Sequence, residues 1–128
     1  MDGKLWVQFS LYIRLRDSDE NGICKCFTCG IRRDYKQMDA GHGIGRQHQS
    51  TKYNEQNNNA QCKKCNGFEG GKREVYKVEM DKKYGAGTWD KMEVMSRATC
   101  KRGKFEIDIM TEHYRKEVKR LKLEKGLK

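Results

Sequence analysis

The first regular pattern along the chain is an apolar stripe in residues 4–16. Leu5, Phe9 and either Tyr12 or Ile13 recur at helical spacing, with arginine and glutamine among the other positions. We predict a helix here, although the aromatic and β-branched content leaves a strand as the alternative. The polar run DSDENG at residues 17–22 contains turn-forming side chains and is expected to end this element.

Apolar stripes return in the second half of the chain and predict three further helices. Tyr76, Met80 and Tyr84 share one face of a helix over residues 72–84, which two following glycines terminate. Thr88 is then in position to cap a short helix, TWDKMEVMSRA.

The last predicted helix follows a basic loop at residues 101–104. Asp108 or Thr111 is in position to cap this helix, and the tail Lys122–Lys128 is expected to fray. Its apolar stripe has spacings of four, four and three residues and comprises Met110, Tyr114, Val118 and Leu121.

Residues 24–62 show little periodicity and are rich in Gly, Asn and Gln. We predict a metal-binding knuckle, a short hairpin and a long loop in this segment. Cys62 is expected to begin a new helical segment, with Cys65 and Asn66 in its first turn.

Length and composition limit the size of the core. The chain has 128 residues, of which 35% are hydrophobic and 36% charged, so one domain with an additional stabiliser is expected. The apolar stretch Leu5–Leu15 is too short and too polar for a membrane span or a signal peptide, which favours an intracellular protein without membrane contact. We divide the domain 1–128 into an N-terminal helix (4–17), a core (24–70) and C-terminal helices (72–124).

The charge balance indicates an anionic partner. Lys and Arg number 28 against 18 Asp and Glu, which gives a formal net charge of +10. Nucleic acid is the most common partner of such basic domains.

Six cysteines supply a candidate stabiliser for the small core. Two pairs share the C-x-x-C spacing: Cys26 with Cys29, and Cys62 with Cys65. Two thiolates at this spacing reach one tetrahedral ion at about 2.3 Å, so the pairs predict a structural Zn²⁺ site with no open position. Disulfides and a redox C-x-x-C are the less favoured alternatives. Cys24 could replace Cys26 as a ligand, and Cys100 is expected to be a small buried side chain.

The segment between the two cysteine pairs resembles a known family. His42, then Asn57 five residues before a C-x-x-C, then Asn66 directly after it, is similar to the layout of the HNH nucleases. YIRLRD, C-x-x-C, DAGH and the run YNE…N…QC-x-x-CN further resemble the NinG (Rap) recombination proteins of lambda-like phages, over residues 5–123. The resemblance implies an α+β fold, in which a small ββα-metal core is stapled by the four-cysteine zinc and flanked by N-terminal and C-terminal helices.

The resemblance also implies catalytic roles for these positions. His42 is the expected general base, because a neutral imidazole can remove a proton from water near pH 7. Asn57 is expected to orient the imidazole, with Asn58 and Asn59 as alternatives if the loop shifts by one residue. A catalytic Mg²⁺ or Mn²⁺ would stabilise the leaving 3′-oxygen, and Asn66 is one candidate ligand for it.

The position before the general base departs from the HNH pattern. Many HNH enzymes carry an Asp or His there, whereas this chain has Gly41. Asp39 is predicted as the second ligand of the catalytic cation, with a backbone hydrogen bond as its structural alternative, and Glu55 is a further candidate. Gly41 and Gly43 flank His42 and are expected to let a substrate backbone approach closely.

Basic side chains surround this segment in sequence. The residues expected to neutralise phosphates are Arg32, Arg33, Lys36, Arg46 and Lys52, and the 101–104 loop would extend the same surface. His48 is expected to contact solvent rather than phosphate, and His113 to lie on the surface. Tyr76, Tyr84 and Trp89 are expected in the core rather than in base stacking.

These observations favour a metal-dependent DNA endonuclease. The resemblance adds branched recombination intermediates as substrates and the cytoplasm of a phage-infected host as the location, and a homodimer would suit a two-fold junction. The first alternative is a non-catalytic, zinc-binding nucleic-acid module, and the second is a protein-interaction adaptor. The spacing of His42, Asn57 and Asn66 favours the nuclease, because a pure binding module has no need of it.

Overall fold

The chain folds as a mixed α+β domain in the computed structural model, which describes residues 2–128. Two strand pairs, β1–β2 and β3–β4, form separate antiparallel sheets. The helices are α1 (Gly3–Arg16), α2 (Gln49–Lys52), α3 (Arg73–Tyr84), α4 (Thr88–Ser96) and α5 (Lys104–Lys125). The strands are β1 (Ile23–Lys25), β2 (Arg32–Asp34), β3 (Met38–His42) and β4 (Asn58–Cys62), with a 3₁₀ turn at Tyr35–Gln37 and a π-helical turn at Lys64–Phe68.

Helix α1 packs its apolar stripe against α5 and one face of the β3–β4 hairpin. Leu5, Phe9 and Ile13 are fully buried in this main core, which confirms the predicted helix and excludes the strand alternative. Arg14 and Arg16 lie in the last turn of α1, where cations interact favourably with the helix dipole.

The register of the β3–β4 hairpin determines which side chains share a face. His42 is opposite Asn58 at one end, and Met38 is opposite Cys62 at the other. Because side chains alternate along a strand, Met38, Ala40 and His42 face α1, while Asp39 faces the other way, toward Lys63 and Asn66. Side chains that are neighbours on β3 therefore lie on opposite faces of the hairpin and have different surroundings.

A second, smaller core lies between α3 and α4. It comprises Ile44, Tyr76, Met80, Trp89 and Met92. The Tyr76 hydroxyl donates a hydrogen bond of 2.7 Å to the Gly41 carbonyl and thereby ties α3 to β3. The expectation that Tyr76 and Trp89 belong to the core is confirmed, and Tyr84 packs at its edge.

The structure corrects several predicted boundaries. Cys62 ends β4 instead of beginning a helix, because its backbone pairs with Met38. Thr88 does not cap α4; Gly87 precedes the helix, and the Thr88 hydroxyl donates to the Gly85 carbonyl at 2.7 Å.

The last helix is longer than predicted at both ends. It begins at Lys104 after Gly103, rather than at Asp108 or Thr111, and it continues to Lys125 where fraying was expected. The Lys125 ammonium binds the Leu15 carbonyl at 2.6 Å, which explains the order of this end. None of the helices between residues 2 and 128 combines the length and the apolar character that a bilayer span needs.

Candidate functional site

The four predicted cysteines converge at one end of the β3–β4 hairpin. The Sγ atoms of Cys26, Cys29, Cys62 and Cys65 all lie within 4.8 Å of one another, and those of Cys29 and Cys62 are 3.7 Å apart. Zn–S bonds of about 2.3 Å in a tetrahedron place sulfurs about 3.8 Å apart, so the cluster fits a structural Zn²⁺. Within residues 2–128 no other group of three or more Cys, His, Asp or Glu side chains is arranged in this way.

Backbone N–H groups support the thiolate form of one of these ligands, Cys26. The amides of Cys29 and Cys62 donate to Cys26 Sγ at 3.5 and 3.3 Å. Burial raises the pKa of the Cys26 thiol, but these amides and the Thr28 hydroxyl outweigh it and lower the pKa to about 6. Since metals bind the thiolate, this chemistry suits zinc. Cys24 is buried on β1 outside the cluster, which excludes it as the alternative to Cys26, and Cys100 is only half-buried.

His42 lies at the opposite end of the same hairpin. Its ring stacks on Trp6 of α1, with a centroid distance of 5.0 Å and an interplanar angle of 16°. Nε2 is 3.1 Å from the Lys52 carbonyl oxygen, and because a carbonyl only accepts, this bond assigns the proton to Nε2 and leaves a lone pair on Nδ1. Burial, together with the charges of Arg46 and Lys52, outweighs the carbonyl and lowers the pKa of His42 to about 4. The imidazole is therefore neutral at pH 7.

Asn58 is the asparagine beside His42. It is directly opposite His42 in the register, and its Nδ2 donates 3.0 Å to the same Lys52 carbonyl. Its Oδ1 is buried and accepts no hydrogen bond from residues 2–128.

The predicted contact from Asn57 to the imidazole is not present. Asn57 is fully buried and binds backbone instead: it accepts from the Ile44 amide at 2.7 Å and donates to the Thr51 carbonyl at 3.1 Å. Asn57 thus fixes the loop that carries the Lys52 carbonyl and acts on His42 only indirectly. The alternative, Asn58, does not hydrogen-bond to the imidazole either, but it shares the Lys52 carbonyl with it. A strand register assigned from sequence would have identified Asn58.

Asp39 and Asn66 come together, but away from His42. Asn66 Nδ2 donates to Asp39 Oδ2 at 3.0 Å, and the Lys63 ammonium pairs with Asp39 Oδ1 at 2.7 Å. Asp39 and His42 are three residues apart on β3, so they lie on opposite faces and roughly 10 Å apart along the strand. Glu55 is not near this pair; its carboxylate accepts from the hydroxyls of Tyr12 and Tyr114 at 2.8 and 3.0 Å. Glu55 is therefore a structural carboxylate.

The glycines on either side of His42 serve internal packing rather than substrate approach. A Cβ on Gly41 would overlap the amide oxygen of Gln61, which is fully buried and fixed through its Nε2 to the Gly71 carbonyl at 2.8 Å. A Cβ on Gly43 would lie 2.8 Å from the ring of Tyr76. The expectation of an open approach at these positions is wrong.

We expect Gly41→Ala to destabilise the domain by about 1–3 kcal/mol, because the methyl group would displace the Gln61 amide in a packed interior. Urea denaturation of zinc-loaded protein measures this change. Gly3→Ala is the matched control, since its Cβ would meet nothing within 4 Å and alanine is favourable in a helix. Equal stability of Gly41→Ala and wild type would contradict the packing role.

The predicted basic residues fall into two groups. Arg32, Arg33, Lys36 and Arg46 are exposed, as phosphate contacts require. Lys52 is buried and its ammonium lies 2.7 Å from Asp2 Oδ2, so it is not available to a phosphate, contrary to prediction.

Sequence reasoning missed further cations near the cysteine cluster. A cleft of about 730 Å³ is lined by Arg33 and Lys36 together with Lys63, Lys64 and Lys72. Two of these cations, Lys63 and Lys64, occupy the variable positions of the second C-x-x-C. An argument from ligand spacing gives no role to those positions, although their charge could have indicated the cleft. His48 is half-buried beside α3 and α4, and His113 is exposed on α5 as predicted.

The low pKa of His42 has a consequence for stability. The unfolded imidazole titrates near pH 6.5, so between pH 6.5 and 4 the unfolded state binds a proton that the folded state does not, and stability falls as pH decreases through this window. From pH 7.5 to 5.5 we expect His42 to contribute a loss of about 1 kcal/mol. Urea titrations of wild type and His42→Gln at both pH values isolate this term. Parallel losses in the two proteins would contradict the pKa assignment.

Comparison with known protein families identifies one family whose model matches the chain. The family model described as Bacteriophage Lambda NinG protein matches residues 3–124. No curated protein and no solved structure matches the chain significantly. The match covers nearly all of the helices and strands described above, including the cysteine cluster and the β3–β4 hairpin. The chain therefore belongs to the NinG family of bacteriophage lambda.

Proposed function

We propose that this protein is a metal-dependent DNA endonuclease of the HNH type that hydrolyses phosphodiester bonds. The observation that carries the proposal is the state of His42: a neutral imidazole whose Nε2 proton is held by the Lys52 carbonyl and whose Nδ1 is free to accept a proton. The same carbonyl also accepts from Asn58, so the ring and the hairpin are held by one common acceptor.

The chain's own residues can move a proton at this position. In hydrolysis, a water oxygen attacks phosphorus, His42 Nδ1 takes the proton of that water, and the bond from phosphorus to the leaving oxygen breaks. The Lys52 carbonyl holds the ring in the required tautomer and stabilises the imidazolium that forms. Phosphate binding also raises the pKa of the imidazole, which strengthens the base once substrate is present.

A divalent cation, when bound, would neutralise charge on the phosphate and on the leaving oxygen. Asp39 and Asn66 offer a carboxylate and an amide oxygen of the kind Mg²⁺ accepts. They do not fit the position beside His42, because they lie on the other face of the hairpin and Lys63 already pairs with the carboxylate. We therefore derive no step of the reaction from these two residues.

Charge and family membership support DNA as the substrate. The net charge of +10 and the exposed arginines would attract a polyanion. Membership in the NinG family indicates a role in phage recombination, and the branched intermediates of that process are the substrates we propose. A two-fold dimer would match the symmetry of a four-way junction.

The proposal is tested by incubating zinc-loaded protein with labelled single-stranded DNA, linear duplex and a four-way junction. We expect cleavage with Mg²⁺ or Mn²⁺ and none in EDTA-free buffer without added divalent cation, and paired nicks in the junction would support the recombination role. Binding of all three DNAs without cutting in either metal would overturn the nuclease.

A non-catalytic nucleic-acid-binding module is the second candidate, and one observation favours it. Asp39, the carboxylate predicted to hold the catalytic metal, is engaged by Lys63 and lies apart from His42. In that case the zinc cluster and the cations would suffice for binding, and the experiment above separates the two functions.

A further inference from the structure

One aromatic side chain stands out from the surface of the described residues. Phe68, at the end of the π-helical turn, is 96% exposed, more than any other large hydrophobic side chain in residues 2–128. The phenyl ring takes part in no aromatic pair and belongs to neither core cluster. Such a ring is open to stacking by a planar group from outside the chain.

The surroundings of Phe68 are strongly cationic. Residues 63–73 contain Lys63, Lys64, Lys72 and Arg73 against one acid, Glu69. Lys64 and Lys72, each four residues from Phe68 in sequence, line a cleft of about 730 Å³. Its five charged lining residues are all cations: Arg33, Lys36, Lys63, Lys64 and Lys72. Only Lys63 among these five forms a salt bridge within residues 2–128.

The positive charge of these cations exceeds the negative charge of the cysteine cluster with its Zn²⁺. Four thiolates around Zn²⁺ leave two net negative charges. Five cations face the cleft and only one of them is paired with a carboxylate, so positive charge remains in excess. The excess calls for an anion from outside the chain, such as a phosphate backbone.

The loop that carries Phe68 runs alongside the β3–β4 hairpin. The Gly71 amide donates to the Cys65 carbonyl at 2.8 Å, and a Cβ on Gly71 would lie 3.9 Å from the His42 carbonyl oxygen. The loop thus extends from the cysteine cluster toward the end of the strand that carries His42.

We propose that Phe68 is a base-stacking residue that binds an unpaired nucleotide of DNA, whose phosphates lie in the adjacent cationic cleft. An exposed aromatic ring beside a positively charged groove is the combination by which proteins hold single strands, since every base offers a face to stack on. A base inside a duplex is already stacked on its neighbours and gains nothing from the ring. The inference rests on the proposed function only in taking DNA as the ligand.

The test measures binding rather than cleavage, with zinc-loaded full-length protein and EDTA-free buffer lacking Mg²⁺. Fluorescence anisotropy with labelled oligothymidylate and with a duplex of equal length gives both affinities. We expect Phe68→Ala to weaken single-strand binding about tenfold and to leave duplex binding within twofold of wild type. Phe68→Trp should restore the single-strand affinity. Lys64→Ala should weaken both and reduce the salt dependence of binding.

Phe105→Ala is the matched control, because Phe105 is also a highly exposed phenylalanine, 79% accessible, but lies on α5 away from the cleft. We expect it to bind both DNAs like wild type. Unchanged single-strand affinity in Phe68→Ala, or an equal loss on single strand and duplex, would overturn the stacking role. The stacking role would also be overturned if the wild-type protein bound neither the single strand nor the duplex. A protein that stacks through Phe68 yet cuts no DNA with added metal would retain this inference and lose only the proposed nuclease.

Discussion

Cys62→Ser is expected to lose the metal and to unfold the domain at physiological temperature. Cys62 ends β4 and its sulfur lies 3.7 Å from that of Cys29, so the cluster joins the loop after β1 to the β3–β4 hairpin. Structural Zn²⁺ contributes about 10–16 kcal/mol to the folding of small zinc domains, which equals or exceeds the 5–15 kcal/mol that stabilises a typical domain. Zinc content by metal analysis and far-UV circular dichroism together measure the effect.

Cys100→Ser is the matched control for that experiment. Cys100 is a half-buried free cysteine in the loop before α5 and is outside the cluster. The same thiol-to-hydroxyl change there should leave zinc content at one ion per chain and leave the melting temperature within a few degrees of wild type. A Cys62→Ser protein with wild-type melting and zinc content would refute the structural metal site.

Four of the helices, α1, α3, α4 and α5, were predictable from the sequence because their signal is periodic and local, whereas the four-residue α2 lies in a segment for which no helix was predicted. The stripe of Tyr114, Val118 and Leu121 identified α5, and that of Leu5 and Phe9 identified α1. Their ends were less predictable, since the start of α5 depends on a glycine that offers no capping side chain. The cysteine cluster was predictable because its ligand spacing is itself the geometric requirement.

The β3–β4 hairpin was not predictable because its strands break the usual alternation. Asn57, Asn58, Asn59 and Gln61 are all fully buried, where hydrophobic patterning expects apolar side chains. They are tolerated because hydrogen bonds satisfy most of their polar atoms, as in the bond of 2.8 Å from Lys83 to Asn59 Oδ1. Long-range partners of this kind leave no trace in local sequence. For the same reason the asparagine beside His42 could not be chosen until the register was known.

Buried polar residues also explain how a hydrophobe-poor chain holds its site. Arg16 of α1 donates to the carbonyls of Glu55 and Asn58, each at 2.8 Å. Asp17 accepts from the Ala60 amide at 2.8 Å and pairs with Arg16. Hydrogen bonds to charged groups contribute about 1.5–3 kcal/mol each, more than neutral ones. The end of α1 thereby fixes β4 against β3 and sets the position of Asn58 opposite His42.

His42→Ala is expected to abolish DNA cleavage while DNA binding stays close to wild type. Removal of a general base typically costs about 10²–10⁴-fold in rate. The cysteine cluster lies at the other end of the hairpin, and the ring's hydrogen bond within residues 2–128 goes to the Lys52 carbonyl, so we expect the zinc and the exposed cations to remain. Single-turnover cleavage of a labelled four-way junction, with binding measured on the same DNA in EDTA-free buffer lacking Mg²⁺, gives both quantities. His48→Ala is the matched control, because His48 is a half-buried histidine near the same hairpin with no assigned role in the reaction.

The pH dependence of cleavage separates a buried catalytic imidazole from a solvated one. The value of kcat/KM reports ionisations of the free enzyme, in which the pKa of His42 is about 4. We therefore expect kcat/KM to be nearly constant from pH 8 to about 5.5, because the base stays unprotonated throughout, and to fall only as the pH approaches 4. An ordinary solvated histidine would already lose most of its activity across this range, since its pKa is about 6.5. Wild-type cleavage by His42→Ala would show that His42 is not the general base. If that variant is inactive but kcat/KM of the wild type falls with an inflection near pH 6.5, the catalytic imidazole is solvated and does not lie between Trp6 and the Lys52 carbonyl.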